Sequence, residues 1–528
     1  MFTTVGHLIA ISIFYCYGVT HKGGSVMQTP FSGLKQQVKS GSLKAVAVFS
    51  DENIQKIFGH EAAEDEAVER LKEYYFKNDT FEQVSADLKL RILVGHKGIG
   101  KSALFKVASS EDEAHGILPI HVQPDDIINI DYSDNFLKSI RNWREGLIKI
   151  ITDKIISNFA EGVTPDSNIN GVHASKIMNA IVDVVKGLKL VASGKQAIYN
   201  NFITNKRVNV YIDDLDRGWR GTIDDINHIS ALLSAIRDVS NDTPSIHFKV
   251  ALRSDVYFLV RTSDQDTDKI EGSVVWYKWT NNEILAMLAK RIETYYKRSV
   301  SEEKLVALHQ SKIAEYFKPV MMETFDGVGK WEGAPIYRIL TSVIRRRPRD
   351  LVKLCSSAAR NANKRGKSVI ETEDFQAIFD AYSLERIQDT INEFKSELPD
   401  IQRLLFQFKP SVKKSSKYSD SYVLQTSSVL DKIKNASSSK PFYFSCTPSE
   451  KATPNELLHF LYKINFLTGR RIDKEGKPVR KCFEENKYIT SKDVDFGFNW
   501  EVHPAYRWAL EPDDYSAIYN KLELVDIE

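Results

Sequence analysis

Apolar positions along the chain change period from one segment to the next, and the changes mark out its elements. Over 52–81 they fall at Ile54, Ile57 and Phe58, then Ala62, Val68, Leu71, Tyr75 and Phe76, a helical spacing among many acids. The compact apolar runs 88–94, 116–122, 207–212 and 246–252 predict strands, the second closed by Pro124. Between them, 135–161 (Leu137, Ile140, Trp143, Leu147, Ile150, Ile151, Ile155), 174–192 and 222–238 carry the period of amphipathic helices. Strands alternating with helices imply a parallel sheet covered on both faces.

After a loop at 262–271 the pattern becomes helical throughout. Thr280 and Glu283 form a capping box before a helix over 284–298, and further helical spacing runs over 303–317, 337–346, 349–365 and 372–393. Residues 411–440 are rich in Ser and Lys and read as a linker. A helix at 455–466, ended by Gly469, then a basic stretch at 470–481 and an aromatic run at 496–500, fit a winged helix. The predicted organisation is a helical lead-in at 27–87, an α/β core at 88–275, a helical lid at 276–398, a linker at 399–440 and a winged-helix-like module at 441–528.

At 528 residues the chain needs several cores. Its formal charge is only +2, so affinity for nucleic acid or membrane has to come from a local patch. Cys16, Cys355, Cys446 and Cys482 are far apart, which argues against a zinc site or a disulfide framework and suits a reducing cytoplasm. The apolar run 8–19 is too short to span a bilayer and lacks a basic segment before it. Lys22, Gly23 and Gly24 back-translate to codons compatible with a ribosome-binding site just before Met27. Residues 1–26 therefore read as a non-native extension, with translation from Met27 in a bacterium or its phage.

Residues 95–102 read Gly-His-Lys-Gly-Ile-Gly-Lys-Ser directly after the first strand. This is the phosphate-loop pattern Gly-x-x-x-x-Gly-Lys-Ser/Thr, which arises by accident in a chain this long about once in fifty. Gly95, Gly98 and Gly100 are expected to take positive φ and bring amides against phosphate oxygens. Lys101 can then reach the β- and γ-phosphates, and Ser102 can ligate Mg²⁺. The helix opening at Ala103 turns its positive end to the anion. The candidate nucleotide-binding set is Gly95, His96, Lys97, Gly98, Ile99, Gly100, Lys101, Ser102 and Ala103.

A second motif follows the strand 208–212, where Asp213-Asp-Leu-Asp-Arg217 brings three carboxylates to the ligand-binding edge of a parallel sheet. Asp213 would hold Mg²⁺ beside the loop, and Asp214 would orient or deprotonate the attacking water. Together the two motifs predict an α/β P-loop NTPase sheet with helices on both faces, followed by an all-α lid.

With both motifs the sequence resembles the KAP-type P-loop NTPases and their bacterial relatives in the larger STAND and AAA-like group. The resemblance extends through Ala251-Leu-Arg-Ser-Asp255, Asp266-Thr-Asp-Lys269, Trp279 and Arg347-Pro-Arg-Asp-Leu351, and covers about 57–385. It implies ATP and Mg²⁺ as cofactors, Arg253 as a sensor of the γ-phosphate, and Arg349 as a lid arginine that senses nucleotide. Arg217 would bridge to the γ-phosphate or to a neighbouring subunit, which leaves a homo-oligomer open. Many AAA-like enzymes have Glu where this chain has Asp214, so hydrolysis is expected to be slow. The family context points to a nucleotide-driven switch in bacterial defence or signalling. Two alternatives stand beside it, a nucleic-acid-stimulated motor or loader and a non-hydrolysing nucleotide-gated scaffold. Arg345 and Arg346 read as a solvated basic turn paired with Asp350. Arg470, Arg471, Lys474, Lys477, Arg480 and Lys481 are expected on one hairpin, either as a solvated face or as contacts to DNA or RNA phosphates.

Overall fold

The computed structural model describes residues 49–131, 133–161, 207–263, 265–410, 422–474, 478–486 and 498–510, all within the unit Ala47–Glu528. The expectations for 1–26, for a helix over 174–192 and for Lys477 lie outside the described residues.

Three helices lead in, α1 (Asp51–Phe58), α2 (Val68–Tyr74) and α3 (Asp79–Ser85). Strands β1 (Leu90–Val94), β2 (Leu118–Val122), β3 (Val208–Ile212), β4 (Ile246–Leu252) and β5 (Val274–Trp276) then build one parallel sheet in the order β2-β3-β4-β1-β5. Successive side chains on a strand point to opposite faces, and this divides the core in two. Leu93, Tyr211 and Ala251 pack with Leu104, Phe105 and Val107 of α4 (Lys101–Ala114). Ile92, Val210, Val250 and Leu252 pack instead with Trp143 and Leu147 of α6 (Phe136–Glu161) and Leu232 and Ile236 of α7 (Ile223–Asp242). A short helix, α5 (Pro124–Ile127), precedes α6. Burial on both faces is why these strands read as unbroken apolar runs. The edge strand β5 escaped the sequence reading because three residues show no period.

The strand order changes one expectation. β4 runs between β1 and β3, with Val94 in register with Leu252 and Ile212 with Val250. Asp213 is thus two strand spacings from the phosphate loop, about 10 Å laterally, and the residue placed between them is Arg253.

After α8 (Ser254–Ser263) come the helices of the lid, α9 (Asn281–Tyr295), α10 (Ile336–Val343), α11 (Pro348–Lys364) and α12 (Thr372–Phe394). The Thr280–Glu283 capping box is present at α9. The single helix expected over 303–317 is instead Glu302–Val306, Gln310–Ile313 and a 3₁₀ turn, because His309 caps a new start and its ring accepts from the Ser311 N–H. A hairpin of β6 (Thr324–Asp326) and β7 (Glu332–Pro335) precedes α10. Helix α10 stops at Val343, short of the expected 346, and Arg346 takes φ +52° in the turn to α11.

The C-terminal part departs from the linker reading. Residues 426–439 form helix α13 (Thr426–Ser439), which buries Val429, Ile433 and Ala436 at helical spacing despite its serine-rich composition. Helix α14 (Pro454–Lys463) follows, and the chain turns at Asn465 (φ +57°), not at Gly469, which lies inside a strand. β8 (Val423–Leu424), β9 (Leu467–Ile472), β10 (Pro478–Lys481) and β11 (Asn499–Val502) make an antiparallel sheet in the order β10-β9-β11-β8. Two helices followed by a hairpin and a returning strand match the winged-helix-like arrangement.

Candidate functional site

The phosphate loop leaves β1 at Gly95, whose N–H donates to Leu252 O of the neighbouring strand at 3.1 Å. Gly98 (φ +79°) and Gly100 (φ +109°) adopt the left-handed conformations that glycine tolerates. Gly95 does not, contrary to expectation. It is needed for space, since a Cβ there would stand 3.0 Å from Ile99 Cγ2 and 3.2 Å from Tyr277 Cβ. α4 begins at Lys101 with no acidic residue in its first turn, so the amide dipoles at Ser102 and Ala103 keep their positive field. The Lys101 ammonium donates to Gly95 O at 2.8 Å and His96 O at 3.2 Å. Burial pushes its pKa down, and Asp213, Asp216 and Glu393 oppose the shift.

Across the edge of the sheet, Asp213 accepts the Asp214 N–H at 2.9 Å. Asp214 itself sits at φ +57°, and its carboxylate is about half-buried at the cavity. Burial raises its pKa, with Asp213, Asp216 and Glu64 adding to the effect. A carboxyl raised in this way is better placed to accept a proton from water. Arg217 is largely exposed and lies 3.9 Å from Asp214. Arg253, only 8% exposed, donates to both oxygens of Asp255 (3.0 and 2.6 Å), to Asp216 at 3.1 Å and to Glu393 O at 2.5 Å. The expected sensor arginine is thus already held by two carboxylates and a carbonyl. Asp216, Asp255 and Glu393 were not singled out from the sequence. Asp216 stood in the quoted acidic string, whereas Glu393 carried no local signal.

Lys97, Gly98, Gly100, Lys101, Ser102, Ala103, Asp213, Asp214, Arg217, Arg253 and Arg349 all line one cavity of 530 Å³, a size typical of small-molecule sites. Gly95, His96 and Ile99 do not line it. A further wall is aromatic and apolar, built from Tyr74, Tyr75, Phe76, Tyr277, Trp279 and Met287. There the Tyr75 and Tyr277 hydroxyls meet at 3.3 Å, and Trp279 Nε1 donates to Ile99 O at 2.9 Å, tying this wall to the loop. The sequence reading missed this wall. Its signal was the Tyr74-Tyr-Phe76 run in the lead-in segment.

The lid grips the loop from outside. Arg349 donates its backbone N–H to Gly98 O at 3.3 Å and its Nε to Glu61 O at 3.0 Å. Arg347 is buried, donating to Lys97 O at 3.1 Å and to Glu393 at 2.9 Å, while the Lys97 N–H donates to Glu393 at 3.1 Å. Arg345 does pair with Asp350, but in the interior and not as a solvated turn: both are buried, the guanidinium donates two bonds of 2.7 and 2.9 Å and the Arg345 N–H one of 3.2 Å to the carboxylate, and Arg386 adds another at 2.6 Å. Arg346 pairs with Glu485 at 2.6 Å.

Among the described residues no group of three or more His, Cys, Asp or Glu converges to hold a metal. The donors present, the Ser102 hydroxyl and the Asp213 carboxylate, suit Mg²⁺, which keeps several waters and takes phosphate oxygens besides one or two protein ligands.

The basic hairpin is only partly a surface. Arg470 and Arg480 are paired across β9 and β10 and turn inward to Glu501, at 3.6 and 2.7 Å. Burial alone would raise the Glu501 carboxyl, but Arg507 and Arg480 outweigh it and hold it at about 2. Arg471 and Lys474 are exposed, and Lys481 is half-buried.

Residues 282–391 match the family described as the FunZ-associated C-terminal helical domain. The chain is 22% identical over 492 residues to the putative transposon gamma-delta 80.3 kDa protein of Escherichia coli K12. That match takes in 82% of this chain, which spans 65% of the relative's length. Among solved structures, the chain is similar to the Aeropyrum pernix ORC2 protein in its ADPNP–ADP complexes, at 12% identity and a TM-score of 0.36, covering 83% of this chain and 90% of that one. It is also similar to the Thermotoga maritima RuvB Holliday junction branch migration motor, at 12% identity and a TM-score of 0.26, covering 66% and 78%. At such scores the structural likenesses bear no weight; the P-loop fold stands on the strand order and on the loop itself.

Proposed function

We propose that this chain is a Mg²⁺-dependent, ATP-binding and ATP-hydrolysing P-loop NTPase that works as a nucleotide-driven switch. The observation that carries the reading is the convergence of Lys101, Ser102, Asp213, Asp214 and Arg253 on one cavity with the open start of α4. Lys101 and the loop amides bind the phosphates, and the aromatic wall takes the base. Magnesium, held by Ser102 and Asp213, would neutralise charge on the phosphate oxygens. Asp214 orients the attacking water and takes its proton. Phosphoryl transfer to water needs mainly positioning and charge stabilisation, which is what these residues can supply.

Arg253 and Arg349 are the arginines placed to sense the γ-phosphate. Arg253 would have to exchange a carboxylate partner for phosphate, and Arg349 is linked through its backbone to Gly98. Either movement transmits nucleotide state to the lid, and this supports the switch. The similarity to a transposon protein and the KAP-type resemblance fit a mobile-element or defence setting in a bacterial cytoplasm. Arg217, exposed beside the cavity, is suited to a second copy of the chain. The test is ATP binding and steady-state hydrolysis by wild type, Lys101→Ala and Asp214→Asn. Tight binding with equally negligible turnover in wild type and Asp214→Asn would favour the non-hydrolysing scaffold.

Among the described residues, the nucleic-acid-stimulated alternative draws on Arg471, Lys474 and Lys481, since Arg470 and Arg480 turn to Glu501. Stimulation of hydrolysis by DNA with a steep salt dependence would favour it.

A further inference from the structure

His96 is the second residue of the phosphate loop, yet its ring is turned away from the cavity and is 5% exposed. Its Nδ1 lies 2.9 Å from Ser254 Oγ, immediately after Arg253. Its Nε2 forms an ion pair with Glu484 and lies 3.3 Å from Asn465 Nδ2, and both of these residues belong to the C-terminal module. Asn465 also donates to both oxygens of Glu484, at 2.8 and 3.1 Å. Burial alone would raise the Glu484 carboxyl, but His96 outweighs it and holds it at about 2. Asn465 reaches this position in a left-handed conformation that costs about 1 kcal/mol for a residue with a Cβ. One imidazole therefore joins the strand end that carries Arg253, the phosphate loop and the turn after α14.

We propose that His96 is a positioning residue through which the C-terminal module is coupled to the nucleotide state of the phosphate loop. The inference rests on the nucleotide reading above and names its route of output. A triphosphate seated in the loop would engage its amides beside the Arg253–Ser254 strand end; the His96 carbonyl accepts from Lys101 within the loop, and its ring meets Ser254. A contact with Glu484 that differs between the two loop states must change the docking of the module, and by linkage the module must change nucleotide affinity by the same factor. The lid contact of Glu393 with Lys97 holds the next residue of the loop, so the two outputs leave from adjacent positions.

The test is amide hydrogen exchange of the full chain with and without ATP and Mg²⁺, with nucleotide binding measured in the same samples. Two variants probe the contact. Glu484→Gln removes the charge at nearly constant shape. Asn465→Gly removes the amide that donates to Glu484, at a backbone position that glycine accepts. In the wild type, ATP is expected to change exchange in β9 and α14 about fivefold or more, within the usual range for two linked sites. In both variants, with nucleotide still bound, that change is expected to fall below about twofold, while exchange in β3 and β4 responds as in wild type. The proposal is overturned if both variants keep the full response, or if the wild type binds ATP with no change in β9 and α14. A wild type that binds no nucleotide overturns the nucleotide reading, and this proposal falls with it.

Discussion

Asp216, in the acidic turn after β3, and Arg253, at the end of β4, are joined by a 3.1 Å ion pair on the edge of the sheet that carries the phosphate loop. The pair links the two candidate catalytic strands, and it exists because β4 lies between β1 and β3. Asp255 grips the same guanidinium in bidentate fashion, which Lys cannot reproduce. Arg253→Lys should therefore lower kcat for ATP hydrolysis by about 100-fold with a much smaller effect on ATP affinity. Single-turnover kinetics beside equilibrium binding check this.

Gly98 allows a second prediction. Its φ is +79°, and a Cβ there would stand 3.1 Å from the stem of Arg349. Gly98→Ala should weaken ATP binding by roughly tenfold, the equivalent of 1–2 kcal/mol of left-handed strain. Gly116→Ala, also at positive φ but with open space around it and outside the site, should leave binding unchanged. Titration calorimetry of the two variants separates local loop strain from a general cost in stability.

What could be read in advance followed from local pattern. The phosphate loop, the Asp213–Arg217 string, the alternation of strands and helices and the Thr280 capping box are all short-range signals, and the structure carries them in one sheet and lid, with β4 set between the phosphate-loop strand and the acidic one. What could not be read needs the topology. Glu393, 296 residues from Lys97, is bonded to the loop only because α12 returns across it. Arg470 and Arg480 look like a basic surface until the strand register turns them toward Glu501. Residues 426–439 have the composition of a linker but place Val429, Ile433 and Ala436 on one face, and the helical period outweighs the serine content.

The buried carboxylates of the C-terminal module set an acid limb. Glu501 and Glu484 ordinarily titrate at 4.5 and are held at about 2 in the fold. Because the folded value is the lower one, the stability they contribute is lost as the pH falls from 4.5 toward 2, and for Glu501, whose partners are arginines, it is complete above pH 4.5. Each is worth on the order of 3 kcal/mol by this linkage. Glu501→Gln should cost about 3–5 kcal/mol at pH 7 by leaving Arg507 and Arg480 without their anion. It should also flatten the pH dependence below 4.5. Urea unfolding at pH 7, 4.5 and 3 checks both effects, and an unchanged acid limb in the variant would count against the assignment.

The hairpin supplies a contrast between its two faces. Arg471→Glu with Lys474→Glu should reduce any binding of duplex DNA and lower its salt slope by about 2, leaving stability within about 0.5 kcal/mol. Arg480→Ala should instead destabilise the module by about 3–5 kcal/mol, since it breaks a buried pair. Fluorescence anisotropy across a salt series, beside thermal unfolding, distinguishes the exposed face from the structural one.

Equilibrium binding of ATP to the 528-residue chain, with and without Mg²⁺, is the most direct measurement, made on wild type and Lys101→Ala side by side. The account predicts saturable, Mg²⁺-strengthened binding by wild type and a loss of about 100-fold or more when the Lys101 ammonium is removed, consistent with about 3 kcal/mol for a buried charge-assisted contact to phosphate. Wild-type binding that is absent, or that survives Lys101→Ala at full strength, would contradict it.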